Sequence, residues 1–370
     1  MSSSDESENT SLTLLRRRRP ESVGFRFALG ALLLPVFGLV LVAMVLGGGA
    51  PLSSWVTLFF ALGLEALLLA GGRVRVGWVL AVLVLALVWL SGRAVWASQN
   101  PRVHIVTMPD RQPSWASMLV DEHDGVVPTA ALLVFGAFLP PIEREELLAL
   151  LSDGYGRMET DVGPVPTPAV PTWTGRVSWQ RFELLSIEPK TSSTVGAVVF
   201  LHGDGGNFTL PCWQVSVAAA RAGFVTLCPS TSVRANWNDA AGRHIVEETL
   251  AEARRRVPVG PVVLAGISAG GVGASAVASS VEDRIAGLLL ISGVDEKAQS
   301  ISRPTLVIQG RQDRLSPAKP TEQWAQATQA SYLELQGNHF VLLKRHDEIV
   351  PVLVDWLGRL RLPVARTTPP

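Results

Sequence analysis

Between residues 27 and 72 the chain carries one charged side chain, Glu65. A helix lying on a globular core shows a polar stripe, and this stretch shows almost none. A break at Gly47-Gly48-Gly49-Ala50-Pro51 divides it. The pattern predicts one membrane span near 27–47, a second near 54–71, and a third near 76–92 after Arg73 and Arg75. Each approaches the roughly 20 apolar residues that cross a bilayer core. The hydrophobic content of 48% and the mean hydropathy of +0.29 fit a chain that lives partly in lipid.

Arg16, Arg17, Arg18 and Arg19 precede the first span, and Arg73 and Arg75 separate the second from the third. Basic loops stay in the cytoplasm, so three crossings place everything after Trp96 outside. The expected location is a bacterial inner membrane with the bulk of the chain on the periplasmic side. The first apolar run exceeds the roughly 7–15 residues of a cleaved signal, so it reads as an anchor. Glu65, mid-span, reads as a protonated, hydrogen-bonded side chain, because no second deep ionisable group is present to form a relay. The bilayer is one expected partner, and association with further copies through the spans stays open. Formal net charge is zero, which gives no electrostatic footprint for nucleic acid.

The expected organisation is a polar tail over 1–24, a three-helix anchor over 25–96, a connecting region over 97–175, a globular domain over 176–360 and a tail over 361–370. The connecting region has an apolar run at 126–140 and a helical pattern at 142–151 with Glu143, Arg144, Glu145 and Glu146 on one face. It reads as an amphipathic hairpin, followed by an extended Pro-rich linker at 163–171. His104 and His123 are isolated and read as structural.

From residue 176 the pattern changes. An alternating run at 177–186 suggests an antiparallel edge pair. Short β-rich runs at 195–201, 224–228, 261–265, 285–291, 305–309 and 332–335 then alternate with helical stretches at 210–222, 239–257 and 271–280. This is the signature of a mostly parallel, doubly wound sheet. Ligands and reactive groups gather at the carboxyl ends of such strands.

Candidate reactive residues fall at those ends. Gly266-Ile267-Ser268-Ala269-Gly270 closes one strand and opens a helix. The two glycines leave room for a turn tight enough to project the Ser268 hydroxyl, and the helix aims its N-terminus at the same point. His202-Gly203-Asp204-Gly205-Gly206 ends an earlier strand and can present a backbone N–H, that of Asp204, to a carbonyl oxygen. With the N–H of Ala269 it would form an oxyanion hole. In that reading the Asp204 carboxylate points away and His202 holds the loop. Asp313 follows a later strand as acid, and His339 follows the last as base. Asp295 is the competing acid, and His244 lies within a helix as a surface residue.

The order Ser268, Asp313, His339 and the loop at His202-Gly203 resemble the α/β-hydrolase superfamily over about residues 176–358. A fainter likeness to dienelactone hydrolases and polyester depolymerases lies in the His-Gly-x-Gly-Gly loop followed by Trp213 and a cysteine. Residues 1–175 lie outside the resemblance. It implies a serine hydrolase acting on an ester, thioester, amide or related acyl bond, with no cofactor and no metal. The leading expectation is a membrane-anchored carboxylic ester hydrolase working through an acyl-enzyme. A peptidase or lipase on the same scaffold stays open, as does a non-catalytic membrane sensor that keeps the fold as a binding domain. The connection between 291 and 305 is too short for the lid expected in many relatives, so the site should be open unless 97–175 covers it. Cys212 opens a helix and Cys228 ends the next strand. Both should lie at the active-site end, where a disulfide is feasible outside the cytoplasm.

Overall fold

A computed structural model describes residues 55–56, 59–60, 62–63, 76–190, 194–205 and 208–361. The expected tail over 1–24, the first span, Glu65 and most of the second span lie outside the described residues.

Helix α1 spans Val76–Ser98. Its stretch Leu80–Ser98 has a mean hydropathy of 2.0 and is only 17% buried, and it is the one helix among the described residues long and apolar enough to cross a membrane. Trp78, Leu80, Leu83, Val84, Leu85, Leu87 and Val88 project from it exposed. The character changes at Arg93, which is buried. Arg93 pairs with Asp121 at 2.9 Å and donates to the Val120 carbonyl. Ala94 and Ala97 are buried beyond it. The C-terminal turns of α1 therefore belong to the globular body.

That body is built on a nine-stranded mixed sheet, with the α/β-hydrolase-like plan of a parallel centre flanked by helices. Its strands are β1 Val103–Met108, β2 Gln112–Pro113, β3 Phe182–Ile187, β4 Gly196–Leu201, β5 Phe224–Pro229, β6 Val262–Ile267, β7 Gly287–Ile291, β8 Thr305–Gly310 and β9 Ser331–Leu335. Their order is β2-β1-β3-β5-β4-β6-β7-β8-β9. The run from β5 to β9 is parallel, while β3 is antiparallel to both β5 and β1. The central strands read as continuous apolar runs because both faces are covered. Val198 and Phe200 pack into one core, and Ala197, Val199 and Leu201 into the other.

Ten further helices complete the body: α2 Glu122–Phe135, α3 Pro141–Arg144, α4 Leu147–Val162, α5 Ala169–Trp173, α6 Thr209–Arg221, α7 Ala240–Arg256, α8 Ala269–Ala278, α9 Ala318–Ala327, α10 Val341–Lys344 and α11 His346–Leu360. Residues from α4, α6 and α11 join the first core, and residues from α7, α8 and α9 the second.

Four expectations change. Residues 97–175, expected to connect two units, contribute β1 to the sheet, in register with β3 from Val103↔Ile187 to Met108↔Phe182. The run at 177–186, expected as an edge pair, becomes an interior strand, and every residue of β3 is buried. The stretch 163–171 is no extended linker: Val165 and Thr167 are buried, and the Pro164 carbonyl accepts from Asn100. The helical pattern at 142–151 is also broken, because Glu145 is extended and Glu146 left-handed. That break turns Glu143 away from the charged face the spacing suggested.

A fragment beginning at residue 176 would expose the six-residue ladder of β3 as a flat apolar edge, a template for aggregation. It is expected to be insoluble or to melt without cooperativity. Expression followed by a circular-dichroism melt checks this, and a soluble, cooperatively melting fragment would contradict it.

Candidate active site

Strand order reverses at β4, with β5 on one side and β6 on the other. The crevice at such a switch point opens at the carboxyl ends of the two strands, where the Gly203 loop and Ser268 meet. A Cβ on Gly203 would lie 3.1 Å from the Ser268 Cβ.

The turn from β6 into α8 leaves no space. A Cβ on Gly266 would stand 2.1 Å from the Gly270 carbonyl oxygen, and one on Gly270 2.0 Å from that of Leu201. Ser268 between them adopts φ 53 and ψ −123, a backbone state that costs an ordinary residue about 1–3 kcal/mol. Its N–H donates to the Ile291 carbonyl, and its own carbonyl accepts from Val272. The strain is thus borne by β6, β7 and α8 together, and the hydroxyl projects where it stays partly exposed.

Ser268 Oγ lies 2.9 Å from His339 Nε2. His339 Nδ1 lies 2.9 Å from Asp313 Oδ2. The Asp313 carboxylate accepts on every side: from Gln309 Nε2 at 2.9 Å, and from the backbone N–H groups of Leu315 at 2.9 Å and Ser316 at 2.7 Å. An oxygen so placed accepts a hydrogen bond from Nδ1–H. Nε2 is then the lone-pair nitrogen that faces the serine hydroxyl. His339 and Asp313 are both buried.

The structure thus brings Ser268, Asp313 and His339 together. Asp295 is elsewhere: its Oδ1 accepts from Lys297 N–H and its own N–H donates to Ser275. Asp204 is exposed; desolvation by the surrounding loop pushes its carboxyl up, offset by the Arg234 charge. The N–H of Gly205 is committed to the Val233 carbonyl. Ala269 is the first residue of α8, so its N–H has no intrahelical acceptor. His244 stands edge-on to Trp179 at 5.3 Å. His104 is exposed on β1. His123 stacks on Tyr155 at 4.6 Å and meets Glu159 at 3.0 Å.

His202 is buried beneath the loop. Its Nδ1 donates to the Gly203 carbonyl at 2.7 Å, and Nε2 accepts from Thr231 N–H at 3.3 Å. Only the neutral ring satisfies both contacts. Cys212 and Cys228 form a disulfide with a Cα–Cα distance of 6.3 Å. It ties the first turn of α6, just past the Gly203 loop, to β5.

Two side chains at the site were not legible as such. Glu122 is buried, and its carboxylate accepts from the N–H groups of Thr209 and Leu210, from Thr167 Oγ1 and from Tyr155 Oη. It caps α6 from outside that helix. Burial raises its pKa, against the lowering effect of these donors. Glu143, wholly buried, reaches the loops of Asp313 and His339. No local signal marks either residue, because each has its partners far along the chain.

No family model matches the chain, and no curated protein matches it. Solved structures do. An alpha-beta serine hydrolase homologue from Coxiella burnetii is 18% identical, with a TM-score of 0.41, over 48% of this chain and 92% of that one. A thermophilic esterase from Thermogutta terrifontis is 15% identical, with a TM-score of 0.40, over 50% and 96%. A serine hydrolase without a lid from Xanthomonas campestris is 16% identical, with a TM-score of 0.41, over 51% and 95%. The structural neighbours are α/β serine hydrolases and esterases over about half of the chain.

The buried His202 gives the protein an acid sensitivity. Burial lowers its pKa from 6.5 to about 4, partly offset by the bond to Gly203. The unfolded chain takes up a proton as pH falls through 6.5, whereas the folded chain does so only near 4. Stability is therefore lost across that window, by roughly 3 kcal/mol at about 1.4 kcal/mol per pH unit. Urea unfolding at several pH values should show the decline in the wild type and a shallower one in His202→Gln. Parallel curves would exclude His202 as its source.

Proposed function

We propose that the chain is a membrane-anchored serine hydrolase that cleaves a carboxylic ester or related acyl bond. The observation that carries this reading is the unbroken chain from Ser268 Oγ through His339 to Asp313, with 2.9 Å at each contact. His339 Nε2 takes the hydroxyl proton as Ser268 Oγ attacks the acyl carbon. Asp313 keeps the ring oriented and stabilises its cationic form. The carbonyl oxygen gains negative charge facing the first turn of α8, where the Ala269 N–H is available, with the Asp204 N–H as the second donor. His339 then returns the proton to the leaving alcohol. Water, deprotonated in turn by His339, attacks the acyl carbon; the bond to Ser268 Oγ breaks, His339 returns the proton to Oγ, and the carboxylic acid leaves. The strain at Ser268 supports this reading, since ordinary turns seldom hold a non-glycine residue at such a φ.

The reading places the catalytic domain outside the cytoplasm. The exposed apolar flank of α1 supports an anchor, and the Cys212–Cys228 disulfide supports an oxidising compartment.

Four experiments test this. A fluorophosphonate probe should label the wild type and leave Ser268→Ala unlabelled. Asp313→Asn should cut turnover of a short acyl ester by up to about 10⁴-fold. Esters of graded chain length, with a peptide amide alongside, separate esterase from lipase and peptidase. A folded wild type that takes no label sinks the hydrolase reading. For location, thiol alkylation of protein from intact cells should modify neither cysteine until a reductant is added. Ready alkylation of both would place the domain in a reducing compartment.

A further inference from the structure

Residues 121–144 cross the catalytic end of the sheet and are fastened at both ends by buried carboxylates. At one end Glu122 grips the first turn of α6, immediately after the Gly203 loop. At the other end α3 meets the two loops that supply the acid and the base. Glu143 Oε1 accepts from the Arg314 N–H at 2.7 Å, and Oε2 accepts from the His339 N–H at 2.8 Å. The Ile142 carbonyl accepts from Asn338 Nδ2 at 2.7 Å. One carboxylate therefore holds the backbone of His339 itself and that of the residue directly after Asp313.

We propose that Glu143 is a positioning residue for the hydrolytic reaction, fixing the separation of Asp313 and His339 by bridging their two loops. The inference rests on the proposed hydrolase function. The loops also touch directly, through the Gln312 N–H and the Gly337 carbonyl, but that contact does not involve the backbone N–H of His339. Glu143 bonds at the point where the His339 backbone sets the direction of its ring. Charge-assisted bonds from two backbone N–H groups to one buried carboxylate are short and directional. Removing the acceptor leaves buried donors unpaired. Segment 121–144 then serves as a strap that completes the site, beyond any role as a tether between anchor and enzyme.

The test uses the full-length protein in detergent. Glu143→Gln preserves size but replaces one acceptor oxygen with an NH₂ group. It should lower kcat for a short acyl ester about 10- to 100-fold, the cost of displacing a catalytic group by a fraction of an ångström to one ångström, with KM nearly unchanged. The downfield Nδ1–H proton resonance of His339, assigned by its loss in His339→Ala, should shift or broaden. Glu143→Asp keeps the charge and shortens the reach, and should restore part of kcat. Glu145→Gln, on the exposed neighbour, should match the wild type. A folded Glu143→Gln with wild-type kcat and an unmoved resonance overturns the proposal. If that variant fails to accumulate, Glu143→Asp with wild-type kcat and resonance overturns it equally. A wild type inert to the fluorophosphonate sinks the hydrolase reading instead, and the resonance still decides whether Glu143 sets the His339–Asp313 geometry.

Discussion

The turn between β6 and α8 admits no side chain at either of its flanking positions. The Gly270 carbonyl oxygen fills the space a Cβ on Gly266 would need, and the Leu201 carbonyl oxygen fills that on Gly270. This crowding brings α8 against the ends of β4 and β6 and forces Ser268 into a positive φ. Around it the other parts are placed at fixed offsets. β7 receives the Ser268 N–H at Ile291, and Gly293 packs so closely on Ser268 that a Cβ there would meet its carbonyl at 2.4 Å. The loops after β8 and β9 then bring Asp313 and His339 to the same side. A sheet of this order supplies the support that a strained serine needs, because strands on both sides share the load.

What could be read from the sequence was local. The Gly-Ile-Ser-Ala-Gly turn identifies itself because its physical causes all lie within five residues. The parallel strands identify themselves because burial on both faces removes the polar positions of β4, β6 and β7. Asp313 and His339 could be placed because each lies within a few residues of a strand's carboxyl end. The parts that escaped depend on distant partners. β1 is a short run whose strand character comes from its pairing with β3. Glu143 looked like one of a row of charges at helical spacing, and only the left-handed Glu146 shows that the row is not one helix. Arg93 directly follows the expected third span, and its partner Asp121 lies further along the chain in the folded body.

Both ends of the strap solve the same electrostatic problem in different ways. A buried carboxylate is costly unless donors surround it. Glu122 meets four donor groups, two of them buried N–H groups in the first turn of α6, whose own N-cap residue Phe208 has no side-chain acceptor. Glu143 meets two N–H groups in loops that have no helix to satisfy them. In each case the acid from the early segment supplies an acceptor that the later segment lacks. The two parts are thus mutually incomplete, which ties the strap to the sheet more tightly than apolar packing alone would.

The separation of those partners also bears on biosynthesis. Glu143 lies 171 residues before Arg314 and 196 before His339. A chain made from its N-terminus exposes Glu143 first, while the loops it must grip are still to be translated. Contacts of such span form late, since the entropy of closing the intervening chain opposes them until most of the sheet is in place. Ser268 emerges before His339, and His339 before the helix His346–Leu360 that joins the same core. A nascent chain that already displays Ser268 therefore still lacks Asp313 and His339, and the three side chains can meet only when synthesis is nearly finished.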